Sequence, residues 1–405
     1  MVKISKFGED FLFLALRIDK HIKGYIDFYF GPEKIKKTVE NESISSLNKL
    51  LSDNNALLNE LGAHGYNKER ERYLEKLLIA MKTSIEILNS TEIPIEDQFL
   101  KIYDVPLKPV NESEIKSLKD EFDKAYPGPG SLEERMNKYG IRRKVPEKKV
   151  FELFKKALDL VRNRTKELFL DILPKEEKIF IKLVNDKESR QKIKWTCYNW
   201  YLGNFASRIE VNPSYHMYWT AFLIFTAHEG YPGHHTEFVL KEQKLYQEQN
   251  QFEHSLLILH SPKLIITEGI GSTAINVIYS NQELAEIGLT NFCPDPSKDD
   301  PLEVLIAQNN LRGKNSLFLY DLAYRTLIDK YSNDELLEYG KSLELFSEEE
   351  IRNHLKRFSS PVYSKVAFMY ELGSYLIRNK YGAVPSIKNF QNLLVNPVLP
   401  SDLIE

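Results

Sequence analysis

Tyr218-Trp219-Thr220-Ala221-Phe222-Leu223-Ile224-Phe225-Thr226-Ala227 runs without a charge straight into His228-Glu229-Gly230-Tyr231-Pro232-Gly233-His234-His235. The apolar run is well short of the ~20 residues that span a bilayer, so it reads as a core helix buried on most sides. Such a helix delivers His228 and Glu229 into the interior, where both need partners. The chain has 9 histidines in 405 residues, and three of them fall in this one octet. A metal ion is the economical partner for such a cluster.

Working outward, the texture is mostly helical. Leu74, Leu77, Leu78, Met81, Ile85 and Leu88 recur at helical spacing, and Val150, Phe151, Phe154, Ala157, Leu158 and Val161 repeat the pattern. Between Glu92 and Pro146 prolines and Tyr126-Pro127-Gly128-Pro129-Gly130 interrupt it, which reads as turns between short elements or a partly mobile connection, an inert connector rather than a lid. Residues Lys178–Val184, Lys192–Leu202 and Ser207–Val211 are rich in β-branched and aromatic side chains and read as two or three antiparallel strands. Helical patterns then resume, with stops at Ser261-Pro262, at Pro294 to Pro301 and at Ser360-Pro361. The expected fold is mostly α, a large helical body with one small antiparallel β-sheet placed before the metal-binding helix. An N-terminal helical region (1–175) precedes a catalytic region (176–405).

Composition narrows the function. Apolar residues at 42% and charged residues at 28% are ordinary for a folded globular chain. The 55 Lys and Arg against 58 Asp and Glu leave a net charge of −3, too balanced to gather nucleic acid, and no membrane partner is expected. Two cysteines, Cys197 and Cys293, cannot build a disulfide framework, and both read as structural. The start MVKISKFGEDFLFLALRID meets charge too early for a signal-peptide core, which places the protein in the cytoplasm.

The spacing of the histidines sets a geometric problem. In His-Glu-x-x-His, two imidazoles one helical turn apart reach one zinc ion while the glutamate faces the water on it. Here the position of the second histidine is taken by Pro232, so the plain motif is absent. On an unbroken helix His234 would lie about 600° round from His228, and His235 would regain the first face only ~10.5 Å along the axis. Pro232 and Gly233 supply a break: proline lacks the N–H that the helix needs and glycine tolerates the re-entry. Absorbing two residues restores His234 to the ligand position, whereas His235 would require three. His235 is then left as an outer hydrogen-bonding or substrate-side group. A third ligand is sought downstream, where Glu268 stands in the apolar stretch from Leu264, followed by the small residues Gly269, Gly271, Ser272 and Ala274. His228, His234 and Glu268 would leave one open position, the set of a catalytic rather than a structural zinc.

At these residues the chain resembles the DUF885 family, which is grouped with the gluzincin metallopeptidases. His228 to His235 with Glu268-Gly269 carry the specific part of the likeness. Leu16 to Tyr25 with Tyr29-Phe30-Gly31-Pro32, and Tyr370-Glu371-Leu372-Gly373, are similar to members as well. One departure is Glu268-Gly269-Ile270-Gly271 where the family usually has Glu-Gly-Trp-Ala. The resemblance implies a gluzincin-like fold, peptidase activity, and Tyr370 as donor to an oxyanion.

Plainer readings exist for each residue: a metal-free polar network for the histidines and Glu229, a helix-start carboxylate for Glu268, and a core aromatic for Tyr370. His260 is a further outer-shell candidate that also reads as a core histidine, and Arg208 and Asn212 are substrate candidates that also read as ordinary strand polar residues. The reading taken forward is a zinc-dependent hydrolase, one ion per chain, cleaving peptides or small amides with Glu229 as general base. Its alternative is a metal-binding or interaction protein without turnover; a glutamate at the base position, which pure binding does not need, favours the enzyme.

Overall fold

The N-terminal half is a succession of amphipathic helices: α1 (Lys6–Asp19), α2 (Glu33–Asn41), α3 (Leu47–Glu60), α4 (Lys68–Leu88), α5 (Ile95–Tyr103), α6 (Glu112–Ala125), α7 (Leu132–Arg143) and α8 (Glu147–Leu168). Ser5, Ser46, Asn67, Asn111 and Ser131 start five of them, each accepting a hydrogen bond from an N–H of the first turn. The coordinates come from a computed structural model that describes residues 2–170, 172–185, 195–215, 217–295, 300–359 and 364–404. The stretch 92–146 follows the first of the two readings, turns between short elements, and not an inert connection, for it holds α5, α6 and α7. Pro94 and Pro146 stand just before helices, where a missing N–H costs nothing, and Phe99, Leu118, Phe122 and Leu132 are buried. Within the expected stripe on α8, Phe151 is exposed instead.

Three strands follow: β2 (Lys178–Leu183), β3 (Cys197–Gly203) and β4 (Ala206–Val211), after the short β1 (Ile26–Tyr29) near the N-terminus. β3 and β4 form the expected antiparallel hairpin, but β2 lies on the far side of β4 and runs parallel to it. Alternation along a strand marks its two faces and does not name its neighbour. The hairpin turns through Asn204 and Phe205, both with positive φ (52° and 57°). Glu242 holds that turn, accepting from the N–H groups of Asn204 (3.0 Å) and Phe205 (3.3 Å).

The remaining elements are α9 (Phe222–Glu229), α10 (His234–Lys241), β5 (Leu256–Ile258), α11 (Pro262–Ile278), α12 (Asn281–Asn291), α13 (Leu302–Asn310), α14 (Asn315–Leu327), α15 (Asn333–Ser342), α16 (Glu348–Phe358), α17 (Val366–Tyr381) and α18 (Ile387–Val395). Helices α11 and α13 begin at the expected stops, while the stop at Ser360-Pro361 lies outside the described residues. The fold is therefore mostly α with a small sheet. Patterning had not disclosed the second pairing, β1 with β5, which ties the N-terminal half to the segment just before α11. Residues from both regions share one hydrophobic core. No helix among the described residues is long and apolar enough to cross a membrane.

Helices α11 and α17 meet backbone to backbone. A Cβ on Gly269 would lie 2.7 Å from the carbonyl carbon of Gly373, and one on Gly373 would lie 2.6 Å from the Gly269 nitrogen. The two glycines are thus needed for the approach that sets Tyr370 beside Glu268. Gly373→Ala is expected to destabilise the fold by about 1–3 kcal/mol through overpacking. Urea unfolding reads this directly, and an unchanged midpoint would mean that the helices separate without cost.

Candidate metal centre

Helix α9 starts four residues later than the apolar run does, because Tyr218 bridges to Lys144 and the Trp219 N–H donates to the Arg143 carbonyl (3.0 Å). It ends at Glu229, and α10 begins at His234. The four residues between fold into a tight non-helical turn, closed by Gly230 N–H to Thr226 O and Gly233 N–H to Ala227 O, both 2.9 Å. Glycine is required at 233, since a Cβ there would collide with the carbonyl oxygens of Ala227 and His228. The turn absorbs the extra residues as the spacing argument demanded, and it sets the rings of His228 and His234 4.5 Å apart.

Glu268 comes to the same point from α11. It stands inside that helix, not at its start, so the macrodipole reading of this carboxylate fails. Its Oε2 is 3.5 Å from His228 Nε2 and 4.0 Å from His234 Nε2. Gly271, one turn on, makes a backbone hydrogen bond to His228, and a Cβ at 271 would sit 2.7 Å from the His228 ring. One ligand atom from each of the three lies within 4.8 Å of the others. Tetrahedral donors at ~2.0–2.1 Å from a zinc ion are about 3.4 Å apart, so small side-chain movements would close the set. The buried Glu268 Oε2 also has no hydrogen-bond donor, which suits a cation. These residues fit a zinc ion, and each side chain keeps some contact with solvent.

The charges are mutually adjusted. Burial opposes the imidazolium of His228, but the neighbouring Glu268 and Glu229 outweigh it and hold its pKa above the ordinary value. Burial, reinforced by His228, drives His234 down to about 3. Burial pushes the Glu229 carboxyl up to about 7; His228 opposes this and Glu268 adds to it. Glu229 is held from behind, because Asn199 of β3 donates to its carbonyl oxygen (2.5 Å). Tyr370, on α17, lies with its ring 6.3 Å from that of His228 and is 38% exposed. The negative charge of Glu268, then burial, then Glu229 keep its phenol protonated well above the usual range. Glu229 and Tyr370 thus flank the cluster.

The other candidates stand elsewhere. His235 is fully buried and turned away, bonded to Ser207 Oγ (2.8 Å) and Glu177 Oε2 (3.0 Å); that is no substrate-side position. Arg208 lies on β4 beside Glu210 (3.4 Å), with its guanidinium 5.9 Å from the Trp200 ring. Asn212 follows β4 rather than belonging to it, and its Oδ1 accepts from the N–H and hydroxyl of Ser214. His260 packs edge-on against Tyr25 (5.5 Å), in the core. Sequence reading missed Asn199 and Glu177. Asn199 sits unremarked in a strand, and Glu177 sits in the charged run Lys175-Glu176-Glu177-Lys178, where nothing sets it apart.

No family model matches the chain, and no curated protein matches it. Two solved structures do, each described as a "putative lipoprotein". The one from Colwellia psychrerythraea has 14% identity and a TM-score of 0.55 over 91% of this chain and 67% of its own. The other, from Shewanella oneidensis and of unknown function, has 10% identity and a TM-score of 0.49 over 89% and 76%. The Colwellia structure shares the fold, and the likeness extends no further than that.

Proposed function

We propose that this protein is a zinc-dependent hydrolase that cleaves peptide or small amide bonds, with His228, His234 and Glu268 holding one ion. The observation that carries the reading is the placing of Glu229: a buried carboxylate beside a three-donor set, outside that set, and tuned to about 7. When bound, the ion would polarise the scissile carbonyl and make water a better nucleophile. Glu229 would take a proton from the attacking water and pass it to the leaving nitrogen as the C–N bond breaks. Tyr370, still protonated, would donate to the oxygen that gains charge. The residues that fit the metal also carry the resemblance to the DUF885 family, and membership is part of this proposal. So is a cytoplasmic location, consistent with two cysteines that form no disulfide and testable by cell fractionation.

Metal analysis of the purified protein, together with a pooled peptide digest read by mass spectrometry, tests the whole reading. The expected result is about one zinc per chain and cleavage that a chelator abolishes and zinc restores. A stoichiometric metal with no cleavage would favour a binding protein instead. Tyr370→Phe is expected to lower kcat by about 10²- to 10³-fold with little change in KM, since the donor serves only the developing oxyanion. An unchanged kcat would return Tyr370 to the role of an aromatic on the wall of the site.

A further inference from the structure

Behind the turn that joins the two histidine ligands lies a buried cluster to which the chemistry above gives no role. Glu177, its side chain fully buried, precedes β2 and points at the turn from the sheet side. One carboxylate oxygen accepts from His235 Nε2 (3.0 Å) and from the hydroxyl of Tyr231. The other accepts from Arg162 of α8, through Nε (2.8 Å) and Nη2. His235 is held on its far side by Ser207 Oγ of β4 (2.8 Å). Glu177 therefore gathers α8, the turn and the start of α10 on one side chain, and through the His235 ring it is linked to β4.

This has a consequence for metal binding. Tyr231 and His235 bracket His234 in sequence, and both are fastened to the same carboxylate. The backbone bonds of the turn reach back only to Thr226 and Ala227 of α9, so they fix it to that helix and not to the sheet or to α8. The turn's conformation decides whether His234 faces His228. We infer that Glu177 is a positioning residue for the metal centre: by clamping Tyr231 and His235 it fixes the turn so that His234 is presented as a ligand. The inference rests on the metal-site reading above. It also explains why His235, adjacent to a ligand, is a buried histidine and not an arbitrary core residue: it is the lever through which α10 is held.

The test is zinc affinity by chelator competition on the full chain, with the cobalt(II) absorption spectrum as a reading of ligand geometry. Thermal unfolding of the metal-free protein runs beside it. Glu177→Gln keeps the volume but places an amide N–H₂ against donors; zinc affinity is expected to fall about tenfold or more, as loss of an outer partner of a metal site does. The cobalt bands are expected to weaken and shift. Tyr231→Phe removes one hydrogen bond and no packing, and it is expected to show a smaller change in the same direction; it carries the test if Glu177→Gln does not fold. A lower melting temperature with zinc affinity and cobalt bands unchanged in both variants would overturn the inference and leave the metal site standing. A wild-type chain that binds neither ion would instead remove the metal-site reading, and this inference with it.

Discussion

Glu229→Gln protein is expected to hold zinc at the wild-type stoichiometry and to hydrolyse peptides about 10²- to 10⁴-fold more slowly. The three donor atoms belong to His228, His234 and Glu268, so the substitution leaves the ligand set whole. Glutamine matches glutamate in volume, the Asn199 side-chain bond goes to the main-chain carbonyl of residue 229, and the Asn199 backbone bond to the carboxyl can pass to the amide oxygen. What is lost is the ability to accept a proton. Stability is not expected to suffer, because burial already disfavours the Glu229 carboxylate and an amide is easier to bury. Metal content, melting temperature and turnover together check the claim: near wild-type turnover would take the role of base away from Glu229.

His234→Ala is expected to lose the ion, with zinc affinity falling by more than about 100-fold, beyond the usual cost of an outer partner. His235→Ala is expected to keep it at stoichiometric zinc, with a weakening closer to tenfold. The two imidazoles are adjacent in sequence but face opposite ways, one toward His228 and Glu268 and the other toward Glu177 and Ser207. Removing the first deletes a donor, whereas removing the second only loosens the turn that presents it. Zinc content after dialysis against a mild chelator separates the two. Loss of metal from His235→Ala with retention in His234→Ala would reverse the ligand assignment.

The meeting of His228, His234 and Glu268 was legible because chemistry and covalent geometry act locally there. The distance in sequence from His228 to His234, with proline and glycine between them, admits few ways of bringing two imidazoles to one ion. A carboxylate in an apolar run such as the one around Glu268 needs a reason. Where the signal was punctuation alone, reading left two alternatives: the prolines between Glu92 and Pro146 mark helix starts as well as loops, and only burial of Phe99 and Phe122 tells them apart.

The sequence by itself determined a mostly helical chain, the strands before α9, the break at Pro232-Gly233 and the choice of His228, His234 and Glu268 as one cluster, since each follows from periodicity or from backbone restrictions within a few residues. The tertiary structure decided which strands pair, that Gly269 and Gly373 touch, that the Tyr370 ring lies beside that of His228, and that Glu177 bonds both Tyr231 and His235. Those facts depend on contacts between segments tens to more than a hundred residues apart, and no local pattern records which distant surface a side chain will meet.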